Sequence, residues 1–321
     1  DHYVWLKNQC PDADLLRGQE NAIPDDRYDA PQAWRTRIPE ELYSTTYIAA
    51  ECEDFLEACD KDTPFFLTMS FPDPHHPFTP PGKYWDMYNP DDIPLPPSFG
   101  LGNIPPLQAL RKALKENLGG RSRQDPFAVT EREAREITAL TYGSITMIDD
   151  AVGRVLKKLK ELKLDENTII CFTSDHGDYM GDHGMMLKLL MHYQGLIRTP
   201  FIWFDPRDKA QGKVDRQLRS SIDIAPTILE HSGIQPYIGI QGYNLFSNSI
   251  KRQGLIIEED SQRSIIGFDK PQRIRTYVEE GWRMSIRHNE SWSELYDLTN
   301  DPLEINNVWN DPNYNDQKNR L

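Results

Sequence analysis

The residues in this chain best suited to chemistry lie at the end of one apolar run, Thr168-Ile-Ile-Cys-Phe-Thr-Ser-Asp-His-Gly177. Asp175 offers a hard anionic oxygen and His176 a neutral nitrogen, a pair suited to a divalent cation. Asp178, Asp182, His183, Lys188 and His192 follow closely, and five of the eight histidines lie either here or at His75-His76. A strand ending in a plain polar turn would account for Asp-His-Gly alone. It does not account for the clustering. Lys188 and His192 are four residues apart, so a helix there would put both on one face. Both donate hydrogen bonds, which suits the oxygens of sulfate or phosphate, and His192 can also move a proton. A lysine usually ends as a solvated charge, but Lys188 sits among Met185, Met186, Leu187, Leu189, Leu190 and Met191. His75 and His76 stand in Ser70-Phe-Pro-Asp-Pro-His-His-Pro-Phe-Thr-Pro-Pro-Gly82, whose prolines rule out helix or central strand. The segment reads as a stiff loop after a strand, where two histidines are either surface decoration or part of a site. His183 reads as a hydrogen-bonded supporting residue. His2, His231 and His288 have no context that assigns them a role.

Several elements must position these groups. Ile169 to Phe172 is apolar without alternation, which predicts a strand buried on both faces in a parallel sheet. Ligands in open α/β sheets sit past the carboxyl ends of such strands. Gly177 is expected to let the chain turn sharply there. Phe65 to Ser70 and Pro200 to Phe204 read as further strands. Residues 1–37 read as loop and short turns. A helix is predicted to open at Pro39-Glu40-Glu41, burying Ile48, Cys52, Phe55, Leu56 and Cys59. Residues 89–126 are irregular, with a short helix over Leu107 to Leu118. Thr130-Glu-Arg-Glu133 is a capping box that starts the longest helix, to about Leu164. Its apolar stripe is Ile137, Leu140, Ile148, Val152, Val155, Leu156, Leu159 and Leu162. Ser221 to Ser232 is a helix stopped by Gly233. Beyond residue 250, Gly254 to Glu259, Arg273 to Glu279 and Trp282 to Arg287 read as strands, the last two joined at Gly281. Strands in succession without helices predict a small antiparallel sheet.

Composition bounds the function. With 321 residues, 38% of them hydrophobic, the chain can build one large core or two ordinary ones. A formal net charge of -14 argues against nucleic acid or anionic membrane as a partner, and no apolar run is long enough to span a bilayer. An anionic substrate therefore needs a locally positive pocket. Of the four cysteines, Cys10, Cys52, Cys59 and Cys171, the middle two lie seven apart on one predicted helix, too far for a disulfide. Free thiols fit a cytoplasmic location, with a periplasmic or secreted one as the alternative. Asn289-Glu-Ser291 is a glycosylation sequon of near-chance frequency.

These segments together resemble the sulfatases and phosphonate monoester hydrolases of the alkaline phosphatase superfamily. The matching pieces are Ser70 to Phe78, Phe172 to Gly184, Lys188 to His192, Arg198-Thr-Pro-Phe-Ile202, Ser221 to Leu229 and Glu294 to Glu304, in the family's order. The resemblance implies an α/β fold, an alkaline-phosphatase-like sandwich with a mostly parallel central sheet flanked by helices. Residues 1–250 would be part of the catalytic domain, and 251–321 a small α+β subdomain. Asp175 and His176 map to the divalent metal site, with Ca²⁺ expected first and Mn²⁺ or Mg²⁺ as alternatives. Lys188 and His192 map to contacts with the sulfate or phosphoryl oxygens. His75 fits the residue that assists at the leaving group or nucleophile, with His76 as the alternate and a substrate contact. The implied reaction is hydrolysis of sulfate esters on a small anionic substrate by a formylglycine nucleophile made from a Cys-x-Pro-Ser-Arg-like motif. The alternatives are a phosphonate monoester or phosphodiester hydrolase and a non-catalytic anion binder; a homo-oligomer is left open.

Two departures stand out. No Cys-x-Pro-Ser-Arg motif occurs, Cys10-Pro-Asp lacking its Ser and Arg, and the family's early Asp-Asp metal pair is missing. The chain is therefore expected to be the carboxyl-terminal two-thirds of a longer enzyme and inactive alone. Leu189 and Leu190 also stand where related members often have Gly and Pro, which bears on the pose of Lys188.

Overall fold

A computed structural model describes the chain except residues 119, 120, 122, 123, 209–211, 248–250, 266, 267 and 289. The sequon at Asn289 and the expected boundary at residue 250 lie outside the described residues. The chain opens with α1 (His2–Gln9), capped by Asp1 accepting from Tyr3 N, where the sequence reading expected loop. Leu6 alone among its residues is buried, so no apolar stripe announces it. Next come α2 (Ser44–Ala58), α3 (Pro105–Lys115), the two-residue β1 (Phe127–Ala128) and the long α4 (Glu131–Glu161). The predicted capping box holds: Thr130 accepts from Glu133 N, and the Glu133 carboxylate accepts from Thr130 N at 2.8 Å. One face of α4 is set by Met147, Ala151, Val155 and Leu159, spaced by four, while Leu156 turns to solvent.

α2 packs against α4, and Cys52, Leu56, Val155 and Leu159 share a core cluster with Phe65, Leu67, Met69 and Phe71. Residues 65–70 alternate buried-side and exposed positions, with Phe66 75% exposed. They carry the side-chain period of a strand but pair with no ladder among the described residues, so the strand expected there is a single extended segment.

β2 (Ile170–Thr173) follows, then β3 (Met185–Met186), the single turn α5 (Gln194–Ile197) and β4 (Phe201–Phe204). β2 pairs antiparallel with β4, Ile170 opposite Phe204 and Thr173 opposite Phe201. This corrects the expected parallel pairing. The connection, residues 174–200, carries the Asp-His turn, β3, the Lys188 loop and α5 before the chain returns beside β2 in the opposite direction. The predicted burial on both faces fails too: Phe172 is 42% and Ile202 59% exposed. β1 pairs antiparallel with β3, tying the start of α4 to the segment before Lys188.

After α6 (Ile224–His231) come the three expected strands, β5 (Gly254–Asp260), β6 (Arg273–Glu279) and β7 (Trp282–Arg287), and a fourth that was not expected, β8 (Glu294–Asp297). They form one antiparallel sheet in sequence order, with Gly281 at φ 79 in the β6–β7 turn, followed by the short α7 (Asn315–Arg320). No described helix is long and apolar enough to cross a membrane, and all four cysteines are free.

Candidate active site

The loop carrying His75 and His76 is pinned at both ends. On one side Asp73 accepts from Tyr43 Oη (3.1 Å), Ser44 Oγ (3.4 Å) and Thr45 Oγ1 (3.1 Å) at the start of α2, where the helix dipole also favours a carboxylate. On the other, Phe78 N–H donates to Gln32 O at 2.8 Å, and the Phe78 ring is buried with Trp85, Ile137, Leu140, Met186 and Leu187. Between these anchors the two imidazoles stack with centroids 4.0 Å apart, and His75 Nδ1–H donates to His76 O at 2.6 Å.

That shared cluster brings the two halves of the site together. Phe78 follows His76 by two residues, and Leu187 immediately precedes Lys188. Burying two such side chains favours the joined arrangement by about 1.5–3 kcal/mol each, more than a surface charge contact would contribute. Lys188 thereby comes close enough to His76 for its charge to matter. Burial first, then the charges of His75 and Lys188, push the His76 pKa down to about 4. Burial also lowers the Lys188 ammonium, against the opposing pull of Asp175 and Asp178. His76 is therefore neutral at pH 7. Its folded value lies below the ordinary 6.5, so its contribution to stability is present above pH 6.5 and lost as pH falls toward 4. Acidifying from pH 7.5 to 5 should destabilise the wild type more than His76→Gln in urea unfolding; equal losses would refute this.

The turn after β2 holds the other half. Asp175 is exposed and its Oδ1 accepts from His176 N at 2.9 Å. His176 Nδ1–H donates to Gly177 O at 2.7 Å, which leaves the Nε2 lone pair 3.4 Å from Asp175 Oδ2. Two lone-pair donors facing each other at that distance match the span of a cation bound at about 2.0–2.6 Å from each. The pair thus fits two ligands of a divalent ion. Among the described residues no group of three or more His, Cys, Asp or Glu side chains gathers as a complete set. Gly177 is required for a different reason than expected. Its φ is not left-handed; instead a Cβ there would lie 1.9 Å from Gly195 O in α5.

Lys188 sits on an irregular loop, not a helix. Leu187, Leu189 and Leu190 have φ of 69, 88 and 73, each costing about 1–3 kcal/mol in a residue with a Cβ. Asp178, which sequence reading placed in the cluster without a role, braces this turn by accepting from Met180 N and Leu187 N, both at 3.0 Å.

His192 is the residue the structure moves away from the site. Without a helix it shares no face with Lys188. It is 4% exposed, with Nδ1 2.7 Å from Thr276 Oγ1 of β6 and Nε2 3.1 Å from Glu259 Oε2 of β5. Both ring nitrogens are occupied, so the expected anion contact is corrected to a link between the Lys188 loop and the C-terminal sheet. His183 supports as expected: it is buried, stacks on Tyr193 at 3.9 Å, and its Nδ1 lies 3.2 Å from Leu101 O. Sequence reading passed over Asp73, hidden in a proline run, and Glu259, which in sequence is one of three acidic residues ending a strand.

The α/β body, with its small antiparallel C-terminal sheet and functional turn at a strand end, has the alkaline-phosphatase-like fold. A phosphonate monoester hydrolase of Agrobacterium radiobacter matches it with a TM-score of 0.79 at 24% identity, over 99% of this chain and 66% of that one. The chain belongs to the sulfatase family: the sulfatase family model matches residues 2–234, and that described as N-sulphoglucosamine sulphohydrolase, C-terminal, matches 181–321. An arylsulfatase of Clostridium perfringens is 33% identical over 281 residues, covering 87% of this chain and 56% of that protein. A multifunctional alkaline phosphatase superfamily protein of Trinickia caryophylli is 28% identical over 319 residues, covering 91% of this chain and 61% of that protein. The chain thus spans less than two thirds of the length of these two relatives.

Proposed function

We propose that the protein carrying this chain hydrolyses sulfate esters of a small anionic substrate. The observation that supports this best is the meeting of His76 and Lys188 beside the Asp175–His176 turn, produced by Phe78 and Leu187 in one buried cluster. Lys188 offsets the negative charge of the sulfuryl oxygens. His76, as a neutral imidazole, contacts the bound ester. His75, exposed beside it, hands a proton to the departing alcohol oxygen as the sulfur–oxygen ester bond breaks. A divalent ion held by Asp175 and His176, Ca²⁺ in the first place, supplies Lewis-acid stabilisation of the sulfuryl oxygens when bound. The nucleophile in this reading is a formylglycine-type hydroxyl. No Cys-x-Pro-Ser-Arg segment occurs in the 321 residues, so turnover by this chain alone would remove that part of the reading.

The test compares an aryl sulfate with a phosphonate monoester as substrates of that protein. Higher kcat/KM for the sulfate is expected; preference for the phosphonate would reassign the activity. For the metal, Asp175→Asn and His176→Ala should each lower bound divalent ion in elemental analysis, along with activity. Unchanged metal content in both would mean the ligands lie elsewhere.

A further inference from the structure

Lys188 stands on the least relaxed stretch of backbone near the site. Asp178 and Tyr179 hold its near side, through Leu187 N and through Leu189 O and Met191 O. Its far side is held by the C-terminal sheet. Leu190 N–H, at the end of the left-handed run, is shared between both oxygens of Glu259 at 3.1 Å each. Leu190 O accepts from Arg287 Nη2 in β7. His192 Nε2–H donates to the same Glu259 carboxylate, while its Nδ1 accepts from Thr276 Oγ1. Behind this first layer the polar groups continue without a break. Ser285 Oγ is 2.6 Å from Thr276 Oγ1, and Arg283 Nη1 donates to Ser285 Oγ at 2.8 Å. Arg287 also donates to Glu294 Oε1 at 2.7 Å. Glu304, paired with Arg283, accepts from Gln194 N at 2.7 Å in α5. Arg283, Arg287, Glu294 and Glu304 are all buried. Removing one member of such a network strands its partners without water, which makes the arrangement stiff.

We infer that Glu259 is a positioning residue for the reaction: from β5 it clamps Leu190 and His192, and so fixes the left-handed loop that aims Lys188 at the bound anion. The inference rests on the reading of Lys188 as the anion contact. It assigns the C-terminal sheet a part in catalysis although none of its residues need touch substrate. A carboxylate suits the place because one group must accept from a backbone N–H and an imidazole N–H at once. Glutamine keeps one carbonyl oxygen for Leu190 and is the conservative replacement.

Two measurements on the protein carrying this chain test it. In hydrogen exchange, Glu259→Ala should speed the amides of residues 187–192 at least about tenfold while those of α4 stay as in wild type. In kinetics with an aryl sulfate, Glu259→Ala should lower kcat/KM about 10- to 100-fold, but no more than about twofold when introduced into Lys188→Ala. Glu259→Gln should recover most of both. Equal losses from Glu259→Ala in both backgrounds, or unchanged exchange at residues 187–192, would overturn the clamp while leaving Lys188 its role. If Lys188→Ala alone changed kcat/KM less than twofold, the anion-contact reading would fall instead. Should Glu259→Ala not fold, Glu259→Asp decides, because it withdraws the carboxylate by one methylene: acceleration confined to residues 187–192 supports the clamp, and wild-type exchange rejects it.

Discussion

Replacing Lys188 by alanine in the protein carrying this chain is expected to lower kcat/KM for an aryl sulfate by about 10²- to 10³-fold, the usual loss when one preorganised charge-stabilising group is removed. The size follows from where the ammonium sits. It is half-buried beside His76, and Leu187 in front of it is fully buried. Its charge is therefore less screened than that of a solvated lysine. Charge that grows on sulfuryl oxygens during ester cleavage meets an ammonium already in place, so the loss should fall mainly on kcat. Lys188→Arg should keep part of the rate, since it preserves charge but brings a planar, bulkier group. Thermal stability of Lys188→Ala should be unchanged or slightly higher, because a charge lowered by burial is removed. A loss under threefold, or one matched by a fall in melting temperature, would show that Lys188 acts elsewhere.

The largest effect on stability is expected from Gly177→Ala. The new Cβ would stand 1.9 Å from Gly195 O, and the contact is backbone against backbone, so no side chain can swing aside. Reaching ordinary contact requires the Asp-His turn and α5 to part by roughly 1.3 Å or more. That movement also weakens the Gly177 N–H to Leu196 O bond, now 2.8 Å. Overpacking and the lost hydrogen bond together should cost about 2–4 kcal/mol, a fall in melting temperature of roughly 4–8 °C. Bound divalent ion should fall as well, because Asp175 and His176 immediately precede the displaced residue. Gly195→Ala makes a useful contrast. Its Cβ would meet Asp182 Oδ2 at 2.6 Å, the end of a movable side chain, and should cost less. A melting temperature for Gly177→Ala within 1 °C of wild type would mean that the turn has more room than the structure gives it.

Three strands of the antiparallel C-terminal sheet were legible because they follow one another without helices, two of them partly alternate and Gly281 marks the turn between those two; β8, buried at every position, was not. The start of α4 was legible because a capping box is a local device of four residues. The pairing of β2 was not. Its apolar Ile170, Cys171 and Phe172 suit either arrangement, and direction is set by how the connecting residues 174–200 fold, which no local pattern encodes. Spacing also misled at His192. Four residues share a face only on a helix, and three left-handed leucines around Lys188 exclude one.

What the sequence alone determined is the list of reactive groups and their local anchors. Asp175 and His176 adjoin at a strand end, two imidazoles stand in a proline-stiffened loop, and a lysine sits among apolar neighbours, because these features depend on residues a few positions apart. Only the tertiary structure decided which groups meet. Phe78 and Leu187 enter one buried cluster and carry His76 and Lys188 with them, while His192 is drawn away by Glu259 and Thr276. Those contacts join residues separated by some 70 to 110 positions, and their outcome depends on which burial and which polar pairing costs least across the folded chain.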